Sequence, residues 1–258
     1  GALPGPLARR APYLGWVGAL RARTAAVRTR LLGAAALLSP GRYLPALLGR
    51  WGYPPGSVRA LPHGIADPAR LRRPAPPAEG ATLRYGYHGP LAPFKGAHLP
   101  VAAFRRLPAG TPATLVYRGA RPPEGAHDAY ARGVLAAVEA TPGARHAGPY
   151  APDEVGEALA AIDVLIVPSL CYENTPTVIY EALASGTPVI ATAEGGMREL
   201  VEEYAGGWLV PRDDPRALAG VMARLAAHPE EVRRVANGIP PVAALADHVA
   251  ALQGIYTE

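Results

Sequence analysis

The chain has 258 residues, 49% of them hydrophobic, which is enough apolar content to bury a core in one large or two small domains. Its single cysteine, Cys171, excludes an internal disulfide framework and cannot alone build a cysteine-rich zinc site; it fits a reducing, cytoplasmic compartment. The run LLGAAALL at 31–38 is far shorter than the roughly 20 apolar residues a membrane span needs, and no signal peptide is evident. The net charge of +5 is local, because residues 1–66 hold nine arginines and no acidic residue, while from Asp67 onward 17 basic residues face 21 acidic ones.

Residues 13–32 predict a basic, amphipathic helix, since Leu14, Val17, Leu20, Thr24, Val27 and Leu31 follow a three-four spacing with arginines largely to the side. Positive charge over residues 9–30, beginning at Arg9 and Arg10, suits an anionic membrane surface peripherally; packing against a further protein domain is the alternative. Aromatic platforms and nucleic-acid motifs are missing, so no nucleic-acid partner is expected. A short buried strand at 34–38, a helix at 42–51 stopped by Gly52 and a strand at 58–62 follow. Residues 66–80, ADPARLRRPAPPAEG, are proline-rich, lack periodicity and read as a linker. Strand patterns then fall at 83–88, 113–119, 144–147, 164–167, 189–192 and 207–211. Helical patterns fall at 95–107, 126–140, 152–161, from Pro176, at 197–204 and at 215–225, the last capped by Asp213 or Asp214. That alternation implies an α/β fold with a parallel, doubly wound sheet.

The stretch LIVPSLCYENTPTVIYEALASGTPVIATAEGGMRE, residues 165–199, carries the chemistry. A buried strand ends at Pro168, and the loop after it places Glu173 at the carboxyl edge of the sheet, where ligands bind in such folds. From Pro176 the pattern turns helical and brings Glu181 into the first turns. A carboxylate there can hold a sugar hydroxyl or a ribose, and free N–H groups at the helix start suit an anion. Two carboxylates flanking a glycosidic bond also describe a hydrolase, but one on a loop and one on a helix argues for binding. Lys95, the chain's lone lysine, lies in a second loop, YGYHGPLAPFKGAHL, where a helix-start cation calls for an anion beside it.

Pro168-Ser169, Tyr172-Glu173-Asn174 with Pro176, EALA-x-G-x-PVIA from Glu181 to Ala191, and Gly195-Gly196 with Glu199-Leu200 resemble the donor-site signature of retaining glycosyltransferases of family 4, enzymes with the two-domain GT-B fold. Residues 36–65 resemble the last strand-helix-strand of that family's amino-terminal domain. The resemblance implies an α/β, GT-B type architecture: an incomplete amino-terminal portion at 1–65, a linker at 66–80, a Rossmann-like donor domain at 81–240 and a terminal helix at 241–258 returning toward the first domain. The implied activity is transfer of a sugar from a nucleoside diphosphate sugar to an acceptor hydroxyl with retention of configuration. The acceptor is unspecified, no further cofactor is implied and no metal is required; Asp213-Asp214-Pro215 reads as a helix cap. A partner-dependent, non-catalytic nucleotide-sugar binding subunit is the alternative.

Residue by residue, the resemblance places Lys95 on the donor diphosphate, with Gly89 and Gly96 shaping its loop, Glu173 on sugar hydroxyls and Glu181 on the ribose. Asn174, Thr175, Pro176 and Thr177 line the sugar and phosphates. Tyr150, with Gly148 beside it, stacks on a base or simply packs, and Gly195 and Gly196 form a tight turn under the site. Pro90 stands where the family often has an arginine, for which Arg118 and Arg121 are candidate substitutes. His88 either faces the sugar or is a satisfied structural histidine. Cys171 is filler or, less in keeping with its surroundings, a catalytic thiol.

Overall fold

The computed structural model describes residues 11–72, 80–120, 125 and 127–257, with side chains from residue 15 onward. Arg9, Arg10, Arg121 and residues 73–79 of the expected linker therefore lie outside the described residues. The chain divides into two compact units, residues 1–39 with 44–60, and residues 40–43 with 61–258.

In the first unit α1 (Ala11–Leu32) is followed by β1 (Leu38–Ser39), the body of α2 (Tyr43–Arg50) and β2 (Arg59–Ala60). β1 and β2 pair in parallel, Leu38 opposite Arg59 and Ser39 opposite Ala60; the buried strand expected at 34–38 is corrected to this two-residue strand, of which only Ser39 is buried. The expected amphipathic pattern of α1 is corrected: its apolar residues do not gather into one stripe, and Trp16, Val17, Leu20 and Val27 are all exposed. Glycines, alanines and arginines interleave with them around the whole circumference. The Arg28 guanidinium lies 5.4 Å over the Tyr53 ring and donates to the Gly52 carbonyl.

The second unit contains α3 (Pro68–Leu71), β3 (Leu83–His88), α4 (His98–Phe104), β4 (Ala113–Arg118), α5 (Asp128–Glu139), β5 (Ala144–His146), α6 (Val155–Ala160), β6 (Val164–Val167), α7 (Thr177–Ser185), β7 (Val189–Thr192), α8 (Gly195–Glu203), β8 (Gly207–Val210), α9 (Pro215–Ala227), α10 (Pro229–Gly238) and α11 (Leu245–Thr257). Six strands form one sheet in the order β5-β4-β3-β6-β7-β8, and every pairing is parallel. The order reverses between β3 and β6, so crossovers leave the sheet in opposite directions there and open a crevice at the carboxyl ends of those two strands.

Strand alternation supplies two cores. Leu83, Tyr85, Tyr87, Leu115, Tyr117, Val164 and Ile166 pack under α4, α5 and α9. Val116, Leu165, Val167, Val189 and Ala191 pack under α6, α7 and α8. Strands covered on both faces are the reason their sequences read as continuous apolar runs rather than alternating ones. The buried tyrosines satisfy their hydroxyls: Tyr85 donates to the Met222 carbonyl (2.6 Å), and Tyr117 donates to the Ala97 carbonyl (2.8 Å) while accepting from the Val101 N–H. At the opposite edge Asp163, 1% exposed, accepts from the Arg84 backbone N–H and guanidinium.

Three expectations need correction. The helix expected over 95–107 is split into a 3₁₀ turn, Pro93–Lys95, a left-handed Gly96 and then α4. The front of the expected linker is α3, capped by Asp67, whose carboxylate accepts from the Arg70 N–H, and held by buried Leu71. α10 was not anticipated, although Pro229 at its first turn with Glu230 and Glu231 is a start signal. At the chain end Ile65 donates to the Ala243 carbonyl (3.0 Å) and accepts from Leu245 N–H (2.8 Å), so α11 is anchored on a segment of the second unit. Asp214, of the two candidates, caps α9.

Candidate active site

The loops after β3 and β6 build one cleft at the strand-order reversal. Gly96 adopts φ 64°, and a Cβ there would lie 2.1 Å from the Pro168 carbonyl oxygen, so only glycine lets the lysine loop lie on the end of β6. The Phe94 carbonyl accepts from both Leu170 N–H (2.8 Å) and Cys171 N–H (3.2 Å), which locks the two loops together. Lys95 Nζ then donates to Glu173 Oε1 at 2.5 Å, and Ser169 Oγ donates to the same oxygen at 2.9 Å. The anion beside Lys95 is thus a carboxylate of the protein itself, and the lysine ends a 3₁₀ turn rather than starting a helix.

The loop bearing Glu173 is fastened from below by α8. Gly196 N–H donates to the Glu173 carbonyl (2.8 Å), and a Cβ on Gly196 would sit 1.6 Å from the Asn174 carbonyl oxygen. Gly195 has φ 54°, with Glu173 O 2.7 Å from where its Cβ would be. These glycines open α8 rather than forming a separate turn. From α8, Glu199 accepts the consecutive N–H groups of Arg42 and Tyr43, each at 2.7 Å, and the Tyr43 ring stacks on Tyr172 at 6.4 Å and 11°. Sequence reasoning gave Glu199 no role and Ser169 none. Both stand in the quoted donor-site motif, and that membership, with the serine's place at a strand end, was the signal available.

Gly89, Lys95, Tyr150, Glu173, Thr175, Pro176, Thr177 and Glu181 line one cavity of about 380 Å³, joined by Tyr87, His88, Pro90, Ser169 and Val178. Gly96 supports the wall from behind, and Asn174 does not line the cavity. A neighbouring cavity of about 570 Å³, walled by α3 and the 152–160 segment, shares Thr177 and Glu181 with it. Arg118 does not line the cleft: it donates to the Ala147 carbonyl (2.9 Å) and lies 5.8 Å over the Tyr150 ring. Among the described residues Lys95 is therefore the one cation lining the cavity. α7 begins after Pro176 with no side-chain cap, which leaves its first N–H groups for an anion.

Electrostatics separate the two carboxylates. Burial pushes the Glu173 carboxyl up, but hydrogen bonds from Lys95 and Ser169 and the lysine charge outweigh it and hold it below the usual range. Burial alone pushes Glu181 up, and among the described residues no side chain or backbone group bonds its carboxylate. Burial also drives the Tyr150 hydroxyl to about 12, reinforced by Glu181 and opposed by Arg118. Asn174 Oδ1, Thr175 Oγ1 and both ring nitrogens of His88 are buried without hydrogen-bond partners. Each orphaned polar group costs about 1–3 kcal/mol, which a hydrogen-bonding ligand would offset. The expectation that His88 is a satisfied structural histidine is thereby overturned. Burial pushes the Cys171 thiol up, away from the reactive thiolate. Among the described residues no helix is long and apolar enough to cross a membrane, and no cluster of His, Cys, Asp and Glu could hold a metal ion.

A family model described as glycosyl transferases group 1 matches residues 82–228. The chain is 30% identical over 193 residues to a D-inositol 3-phosphate glycosyltransferase of Acidothermus cellulolyticus, covering 69% of this chain and 42% of that one. It is 36% identical over 78 residues to the amylovoran biosynthesis glycosyltransferase AmsK of Erwinia amylovora, covering 28% and 19%. Sucrose-phosphate synthase from Thermosynechococcus elongatus superposes with a TM-score of 0.77 at 25% identity, covering 92% of this chain and 61% of that one. HepE from Anabaena, solved in complex with UDP and glucose, is similar in fold, with a TM-score of 0.71 at 17% identity, covering 87% and 63%. The chain thus spans less than half of these curated relatives and about three fifths of these structures.

Proposed function

The chain belongs to the family of group 1 glycosyl transferases and has the α/β, GT-B type fold with a doubly wound sheet, and from that premise we propose that it transfers a sugar from a nucleoside diphosphate sugar to an acceptor hydroxyl with retention of anomeric configuration. The observation that carries this reading is one cleft lined by a single lysine, two carboxyls shifted in opposite directions and an uncapped helix start, with buried oxygens of Asn174 and Thr175 unpartnered in the same loop. The diphosphate takes Lys95 and the amino terminus of α7, the sugar hydroxyls take Glu173, and the ribose takes Glu181. HepE's complex with UDP and glucose supports a donor of this class.

Charge on the leaving diphosphate grows as the sugar bond breaks, and Lys95 is placed to stabilise it. Because Lys95 already touches Glu173, an arriving diphosphate shares that lysine and leaves the carboxylate to the sugar. The departing phosphate assists deprotonation of the acceptor on the same face, so the protein's work is positioning and charge stabilisation without a nucleophile or a metal. Pro90 removes one charge from this arrangement, and α7 carries a larger share in consequence.

The test is a calorimetric titration of the chain with UDP-, GDP-, ADP- and dTDP-sugars, beside Glu181→Ala and Lys95→Ala. Binding of one nucleotide class, weakened at least tenfold in both variants, supports the reading; no binding by a folded chain sinks it. Retention is read from the anomeric proton of the transferred sugar by NMR.

A further inference from the structure

His88 is not used by the chemistry above. It closes β3, is 5% exposed and lines the cleft, yet neither ring nitrogen has a hydrogen-bond partner. Strand alternation points it to the face shared by Gly86, where a Cβ would lie 2.6 Å from Ile162 Cδ1 and 3.3 Å from His88 Nε2. Glycine two residues earlier therefore leaves the imidazole its room. Tyr150 stands beside it, ring centroids 5.4 Å apart at 59°, and Arg118 lies over the same tyrosine. A phenylalanine or leucine could fill this place without burying two unsatisfied nitrogens, so the free protein is less stable for having histidine here.

We propose that His88 is a specificity-determining residue that hydrogen-bonds the nucleoside end of the donor, between Tyr150 and Glu181. The inference rests on the nucleotide-sugar reading and goes beyond it by naming what selects the nucleoside. Lys95 and Glu173 pair with each other in the same cleft, suited to charge and to sugar hydroxyls. His88 lies with Tyr150, close enough to Glu181 that the carboxylate raises the tyrosine's pKa. Burial, with Arg118 adding to it, pushes the His88 pKa down to about 4, so at neutral pH the ring is uncharged and offers one donor and one acceptor. That pairing fits ribose hydroxyls and base edges better than phosphate.

The experiment compares His88→Phe and His88→Gln with the unaltered chain, by thermal melting without ligand and by calorimetry with UDP, GDP, ADP and dTDP. The expected result is a pair of opposite effects: His88→Phe melts at or above the parent temperature but binds the preferred nucleotide at least tenfold more weakly and discriminates less among the four. His88→Gln, with its own neutral donor and acceptor, restores part of the affinity. A folded His88→Phe with parent affinity and parent ranking overturns the inference. Where His88→Phe does not fold, His88→Gln decides, a changed ranking supporting the inference and an unchanged affinity and ranking overturning it. A folded parent that binds none of the four overturns the nucleotide reading and this inference with it, whereas parental binding with indifferent variants overturns the inference alone.

Discussion

Lys95 and Glu173 were both legible as residues of interest, one as the chain's only lysine and the other within the Pro-Ser to Gly-Gly frame. Their direct contact was not, because they are 78 positions apart and meet only through the sheet reversal. The pair makes a pH prediction. The Glu173 carboxyl is lowered in the folded state, so its contribution to stability is full above the unfolded value of about 4.3 and is lost as pH falls through the lowered folded value. Lys95→Met leaves burial as the dominant influence and raises that carboxyl. The variant should be about 1–2 kcal/mol less stable at pH 7, the pair being partly exposed, and the gap should close in acid as Glu173 protonates. Urea denaturation of both proteins from pH 3 to pH 8 checks this, and a gap that stays constant with pH refutes the electrostatic account.

Among elements, strands and most helices were visible because buried parallel strands and their covering helices have different periods. The boundaries that failed were those decided by contact. Gly96 splits the 95–107 pattern because of Pro168, and Gly195 and Gly196 enter α8 because of Glu173 and Asn174. Gly196→Ala should cost about 3 kcal/mol, since its Cβ meets unyielding backbone, and lower the melting temperature by roughly 10 °C. Nucleotide binding should fall with it as the Glu173 loop shifts. Gly220→Ala, inside α9 with no atom within 4 Å, should instead stabilise by about 0.5–1 kcal/mol. Differential scanning calorimetry of the two variants separates them; equal effects would mean that glycine acts here only through chain entropy.

At the scale of the whole molecule, burial and charge are distributed unequally. β3, β6 and β7 are buried almost throughout, whereas α1 is exposed nearly along its described length and carries Arg21, Arg23, Arg28 and Arg30 without an acidic residue. Helical hydrogen bonds with so little tertiary cover open easily. Amide exchange should therefore be orders of magnitude faster in residues 15–32 than in residues 164–167 and 189–192. Each arginine near an anionic bilayer contributes about 1 kcal/mol at best. Vesicles containing phosphatidylglycerol should slow exchange in α1, phosphatidylcholine vesicles should not, and high salt should abolish the difference. Unchanged exchange with the anionic vesicles would remove the membrane surface as a partner.

The sequence alone determined the α/β class, the strand sequence, the loops bearing Lys95 and Glu173 and the helix bearing Glu181, because periodicity, glycine and proline placement and short motifs are local properties of the chain. Only the tertiary structure decided that Lys95 meets Glu173, that Arg118 is spent behind Tyr150, that Glu199 holds Arg42 and Tyr43, and that His88 is buried with nothing to bond. Those facts depend on which loops the strand order brings together and on how much water is excluded between them. Neither quantity is written in any short stretch of residues.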